Sequence, residues 1–271
     1  MNSVENLRVV ENLRVVNKHS VVNKHSVVNK HSVVNKHSVA LDEDFHVHST
    51  FSDGASTLAE NVEAARDREL RTLCLVDHVR RDTAWVPDFI AAVEAYRHQP
   101  GLRVLAGVEA KILDTSGHID TPPDLSGIDL VLIADHQFPS DNGPVHPAEV
   151  RAVISYGGMT AAEAIERLCE ATANSLGAGS RSLLAHLFSV LPKIGLTEAM
   201  VPDLLLTHLA KQVAHSGTMI EVNEKWSCPS VRTVTAMAAA GVSLVAGSDS
   251  HHCRNIGIYD SVRQTVSAAG V

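Results

Sequence analysis

The stretch Leu73-Cys74-Leu75-Val76-Asp77-His78, LCLVDH, is an unbroken apolar run that ends on a carboxylate and an imidazole. A short apolar run bounded by polar residues reads as a strand buried on both faces, the kind found in parallel sheets. The pattern recurs along the chain. VLAGV runs into Glu109, LVLIAD into His136 and SLLA into His186, while VSLVA leads into Asp249 and His251. The first such strand, at 44 to 48, carries its own pair, His46 and His48, and Asp53 follows in the next loop.

Seven strands are predicted in all, at 44 to 48, 72 to 76, 103 to 108, 129 to 134, 182 to 186, 218 to 222 and 242 to 246. Helical patterns separate nearly all of them. Thr57-Leu58-Ala59-Glu60 and Thr160-Ala161-Ala162-Glu163 fit capping boxes, and Pro87 opens a run with Phe89, Ile90 and Val93 at helical spacing. Further helices are expected near 198 to 214, 230 to 240 and 259 to 268. Strands of buried type alternating with helices predict an α/β chain of parallel units, which closes most naturally into a barrel. In such barrels, chemistry gathers at the C-terminal ends of the strands.

Residues 4 to 38 differ in kind: VENLRV occurs twice and VVNKHS four times, on a period of six. Wound as a helix, that period turns the valine pair by about 240° per repeat and leaves no apolar stripe. As a strand it leaves neither face apolar. A hexapeptide β-helix would need a more apolar inward position and end caps. The reading adopted is a tail over residues 1–40, outside a catalytic domain at 41–271. The repeat supplies four of the 16 histidines, His19, His25, His31 and His37, and no carboxylate accompanies them.

Composition narrows the function. The chain has 271 residues, 45% hydrophobic and 20% charged, with net charge −8 and pI near 6.0. An acidic surface disfavours extended nucleic acid as a partner, because phosphate contacts need Lys and Arg. No run of about 18 apolar residues exists to span a membrane. Four scattered cysteines, no C-x-x-C and no secretory leader predict reduced thiols in a cytoplasmic setting.

The strand ends bring six imidazoles and three carboxylates to one end of the predicted barrel: His46, His48, Asp53, His78, Glu109, His136, His186, Asp249 and His251. Each alone has a plain explanation as a hydrogen-bonded boundary residue or a turn. Together they do not, because so many buried ionisable groups need a counter-charge, and divalent ions are the natural one. A nitrogen and oxygen set without cysteine suits Zn²⁺, Mn²⁺ or Fe²⁺. Nine donors exceed the needs of one ion and imply two or three.

The series HVHSTFSDG, LVDH, GVEAKIL with SGHIDTP, ADHQ, LLAH, IEVN and GSDSHH resembles the PHP family, the polymerase and histidinol phosphatase metallohydrolases, from residue 44 to about 260. The wording is most similar to the branch of YcdX-like phosphatases and the PHP domain of family X polymerases. The resemblance implies a distorted seven-stranded (β/α) barrel. It implies one ion held by His46, His48, Glu109 and Asp249, a second by Glu109, His136 and His186, and a third by Asp53, His78 and His251. Asp53 stands where some members carry His.

Three such ions against three carboxylates leave about +3, which favours an anionic substrate. The expectation is a phosphoesterase that hydrolyses a small phosphomonoester with a metal-bridging hydroxide at a trinuclear site, with Asp249, Glu109 and His251 at the reacting centre. Asp249 or an acid outside the ligand set is a candidate proton donor. Arg80, Arg81, Lys111, Lys225 and Arg254 lie near strand ends and are candidate phosphate contacts, Arg254 and Lys225 foremost, while Asn223 should face the same way as Glu221 and line the pocket. The segment 137 to 158, rich in Pro and Gly, is expected as a loop over the substrate, with His146 on it. Competing readings are a nucleotide phosphodiesterase or exonuclease, and a metal-binding regulatory module without catalysis. Oligomeric state is not legible.

Overall fold

Each of the seven predicted apolar runs forms a strand. The computed structural model describes residues 38–177 and 181–271, so the repeat reading of residues 1–40 falls almost wholly outside the described residues. In chain order the elements are β1 (Glu43–Val47), α1 (Leu58–Asp67), β2 (Thr72–His78), α2 (Val86–Glu94), β3 (Arg103–Lys111), β4 (Leu130–Ala134), β5 (Phe138–Ser140) and β6 (Gly143–Val145). There follow α3 (Pro147–Ser155), α4 (Ala161–Asn174), β7 (Ser182–Ala185), α5 (Val190–Lys193), α6 (Asp203–Ser216), β8 (Met219–Asn223), α7 (Val231–Ala239), β9 (Leu244–Gly247) and α8 (Ser261–Ala269).

Seven strands pair in parallel in the order β1-β2-β3-β4-β7-β8-β9. The ends of this sheet approach one another: Val47 bridges to Ser250, just past β9, and His48 N–H donates to the Ser250 carbonyl at 2.8 Å. The result is a nearly closed, distorted (β/α)7 barrel. Alternate residues of β2 show its two sides. Leu73 and Leu75 pack with Leu58 and Val62 of α1 and Phe89 and Val93 of α2. Cys74 and Val76 pack instead with Phe45, Leu105, Leu132 and Val245 from the other strands. Both capping boxes are present, at Thr57 with Glu60 and at Thr160 with Glu163.

One irregularity positions the site. The β1 and β2 register shifts between Asp44 and Val47, a bulge that lets Phe45 join the strand-lined core while His46 and His48 both turn toward the barrel's C-terminal mouth. Two expectations are corrected. Residues 137 to 158 are not a plain loop but the hairpin β5 and β6 followed by α3, with Pro147 in the first helical turn and His146 at the N-cap, its Nδ1 accepting from Ala148 N–H. The helix expected over 198 to 214 is split into a 3-10 turn at Glu198–Met200 and α6, because Pro202 cannot continue the first into the second.

Candidate metal centre

Glu109, at the C-terminal end of β3, is the hub. Its Oε1 lies 2.9 Å from both His136 Nε2 and His186 Nε2. Its Oε2 lies 2.9 Å from His78 Nδ1 and 3.4 Å from His46 Nε2 and His48 Nε2. His46 and His48 present their Nε2 atoms 3.0 Å apart. Asp249 closes this corner, with Oδ1 3.5 Å from His48 Nε2. Asp53 forms the centre of a second corner, 3.5 Å from His78 Nε2 and 3.3 Å from His251 Nε2 through Oδ2. All nine residues expected at the strand ends therefore converge. Three groups bring donor atoms within 4.8 Å of one another: His48, Asp53, His78 and His251; His46, His48 and Asp249; and His78, Glu109 and His136.

The donors are aimed by further groups that the spacing of the sequence does not reveal. Glu221, fully buried on β8, contacts His46 Nδ1 at 2.9 Å through Oε1 and accepts the His186 backbone N–H at 2.7 Å through Oε2. Ser189 Oγ lies 3.0 Å from His186 Nδ1 and donates to Asp135 at 2.6 Å. His46 and His186 thus each use one nitrogen on an oriented neighbour and turn the other to the cluster, the arrangement that fixes metal-ligating histidines. Gly247 is required here: a Cβ at that position would lie 1.9 Å from Glu221 Oε1. His186 and Asp249 take positive φ, 32° and 51°, a conformation that costs non-glycine residues of order 1–3 kcal/mol.

The protonation pattern follows from this crowding. Burial disfavours the protonated form of His46, but the Glu221, Glu109 and Asp249 carboxylates outweigh it and hold the imidazole well above its usual range. His186, likewise opposed by burial, is raised to about 10 by Asp135 and Glu109. His48 goes the other way, to about 4, through burial and the neighbouring His46 charge. Burial pushes up on Glu109 and Asp249, yet the surrounding imidazoles hold both well below the carboxylate range. Two buried atoms, His48 Nδ1 and Glu109 Oε2, make no hydrogen bond of acceptable geometry. Buried, unsatisfied donors facing a nitrogen and oxygen set fit divalent ions.

The cluster opens into a cavity of about 560 Å³ lined by Asp53, His78, Arg80, Glu109, Lys111 and His136. Lys111 is paired with Asp120 at 3.2 Å. Lys225 reaches in from the β8 side, its Nζ 3.1 Å from Asp249 Oδ1 and 3.2 Å from His251 Nδ1. Asn223 is buried and accepts Trp226 N–H at 2.8 Å, which makes it a brace for the loop after β8. Arg254 is exposed on a 3-10 turn, where Asn255 rather than Arg254 lines the adjoining cavity. Trp226, not anticipated from sequence, lies at the mouth and donates Nε1–H to Asp249 Oδ2 at 2.9 Å.

Residues 44–225 match the model of the PHP domain family. The chain belongs to that family. Relatives of similar length include a probable phosphatase of Shewanella frigidimarina, 25% identical over 232 residues that cover 84% of each chain. Another, from Enterobacter, is also named a probable phosphatase and is 25% identical over 236 residues, covering 84% of this chain and 85% of its own. Among solved structures, a histidinol phosphate phosphatase from Lactococcus lactis, in complex with zinc, L-histidinol and phosphate, superposes with a TM-score of 0.58. The match spans 84% of this PHP chain and 93% of that one at 17% identity, a likeness of fold. No helix among the described residues is long and apolar enough to cross a membrane.

Proposed function

We propose that this PHP-family chain hydrolyses a small phosphomonoester with the help of three divalent ions, Zn²⁺, Mn²⁺ or Fe²⁺. The observation that carries the reading is the convergence of five imidazoles on the single carboxylate of Glu109, with two of them oriented from behind by Glu221, Ser189 and Asp135. His46, His48, Glu109 and Asp249 would hold one ion, Glu109, His136 and His186 a second, and Asp53, His78 and His251 a third. When bound, the ions supply Lewis acidity and lower the pKa of coordinated water. The relatives named as probable phosphatases favour a phosphate ester as substrate.

The side chains divide the remaining work. Arg80 lines the cavity beside Glu109 and Lys225 an adjoining one that shares Asp53, His78, Glu109 and His136, so both are candidates to draw in an anionic ester. Glu109 and Asp249 stay ionised beside their imidazoles, which suits them to hold cations and leaves Asp249 without a proton to donate. Trp226 keeps Asp249 from rotating by holding Oδ2.

Metal analysis of the purified protein, followed by a panel of phosphate esters with added Zn²⁺ or Mn²⁺, tests the reading. Two or more ions per chain and chelator-sensitive cleavage of monoesters are expected. Fewer than two ions in fully loaded protein, or turnover of phosphodiesters alone, would overturn it.

A further inference from the structure

Asp249 offers two carboxylate oxygens, and residues of one loop claim both. Trp226 Nε1–H donates to Oδ2 at 2.9 Å, and the Lys225 ammonium donates to Oδ1 at 3.1 Å. Oδ1 is also the oxygen that faces the cluster, 3.5 Å from His48 Nε2 and 3.4 Å from His251 Nδ1. The ammonium lies within 3.2 and 3.4 Å of the two ring nitrogens of His251 as well. It therefore stands among donors of both the buried and the open corner.

The loop backbone that carries Lys225 is tied down. Glu224 N–H donates to the Gly247 carbonyl, and the Glu224 carboxylate accepts the Ser261 and Val262 N–H groups at the start of α8, each at 3.0 Å. Asn223 Oδ1 takes the Trp226 N–H, and the Asn223 N–H donates to the Cys228 carbonyl. The Lys225 side chain, in contrast, is 42% exposed. A flexible four-carbon stem on a fixed base can swing out to solvent.

We propose that Lys225 is a tethered cation that competes with a divalent ion for Oδ1 of Asp249. The inference rests on the metallohydrolase reading above. A cation ligated by Oδ1 and by His48 or His251 cannot share that oxygen with the ammonium, because two like charges in one small, half-buried volume repel. Loading the centre then displaces Lys225 to the rim of the cavity, where its charge is released toward an anionic substrate. With no divalent ion on Oδ1, the ammonium would neutralise Asp249. Metal affinity and substrate charge recognition are thus coupled through one side chain.

The test is a metal titration of the full chain without substrate, at fixed pH and ionic strength, comparing the wild type with Lys225→Met and Lys225→Arg. Zn²⁺ and Mn²⁺ binding is followed by competition with a chromogenic chelator, and melting of the metal-free proteins checks that each variant is folded. Lys225→Met should bind the ion that Asp249 ligates roughly three- to tenfold more tightly, in keeping with removal of a partly exposed charge, and the gain should shrink at high salt. Lys225→Arg should stay near wild-type affinity. Unchanged or weaker binding by Lys225→Met overturns the inference while leaving the metallohydrolase reading intact, and so does an equal gain in Lys225→Arg, since it would show that charge is not the cause. A chain that takes up no divalent ion overturns both.

Discussion

The two corners of the centre are built from the same residue types but to different standards of enclosure. Around Glu109, whose side chain is 1% exposed, His46, His48 and His186 are buried, and His46 and His186 are braced by Glu221, Ser189 and Asp135. Around Asp53, 55% exposed, His78 and His251 remain 35% and 27% open to solvent. Ser52 Oγ donates to Asp53 Oδ1 at 3.3 Å. Preorganised donors in a dry site bind an ion without first paying to desolvate and order it, while an open carboxylate must surrender water and rotamer freedom. On the proposed ion assignment, the difference implies a tightly held metal position beside an exchangeable one.

The largest effect should come from breaking the buried corner at its hub. Glu109→Gln keeps the shape but removes the charge that five imidazoles share, and is expected to abolish metal retention and phosphoesterase activity together, as read by metal content and ester turnover. Glu221→Gln leaves every direct donor in place. It should cost about 10- to 100-fold in metal affinity or activity, the usual toll of removing a partner behind a ligating histidine. Gly247→Ala should reproduce much of that loss, since its Cβ collides with the Glu221 carboxylate, and should lower the melting temperature as overpacking by about 1–3 kcal/mol would.

Asp53→Asn probes the open corner. It should loosen one ion only, seen as one fewer metal per chain after dialysis, with the others retained. A loss of all metal would erase the distinction between the corners.

Acidity sharpens the contrast next. His46 and His186 are raised, His186 to about 10, so at neutral pH the metal-free buried corner holds protons that an incoming ion must expel. Metal addition to weakly buffered protein should release protons, and apparent affinity should climb as the pH rises toward 10. The sign for folding is opposite: these raised imidazoles stabilise the metal-free chain most fully below the ordinary histidine range, and the His186 share of that stability is lost as the pH passes about 10.

The smallest effect lies outside the centre. Glu60 and Glu163 are lowered by the Thr57 and Thr160 backbone N–H groups of their capping boxes, so their support for α1 and α4 is present above 4.5 and fades as the pH falls. A slight acid-side loss of melting temperature, removed in the Glu60→Gln, Glu163→Gln double variant, is the expected signature.

The strands and the nine clustered residues were legible because each sits beside an apolar run whose end declares the barrel mouth. Glu221 and Asp135 belong to the same runs, in IEVN and LVLIAD, yet nothing in their spacing says that they turn toward His46 and Ser189 rather than into the cavity. The bulge in β1 carries no Gly or Pro signal, so the inward turn of Phe45 along with His46 emerges only from the register with β2. The hairpin of β5 and β6 was hidden by its own chemistry: Pro139 faces Pro144 across the pair, and prolines argue against strands in short segments. Arg254 and Lys225 read alike as cations near strand ends, but the loop after β8 is folded back onto Asp249 and the 3-10 turn that carries Arg254 is not.

Stepwise chelation followed by metal counting tests the central claim most directly. Fully loaded protein is treated with increasing chelator, and the ions left per chain are measured by mass spectrometry under native conditions. The proposed ion assignment predicts two kinetic classes, with one ion lost readily and two retained until the chelator is strong, and with Asp53→Asn lacking only the labile class. A single class of ions, or a total below two per chain, would contradict the division into a buried and an open corner.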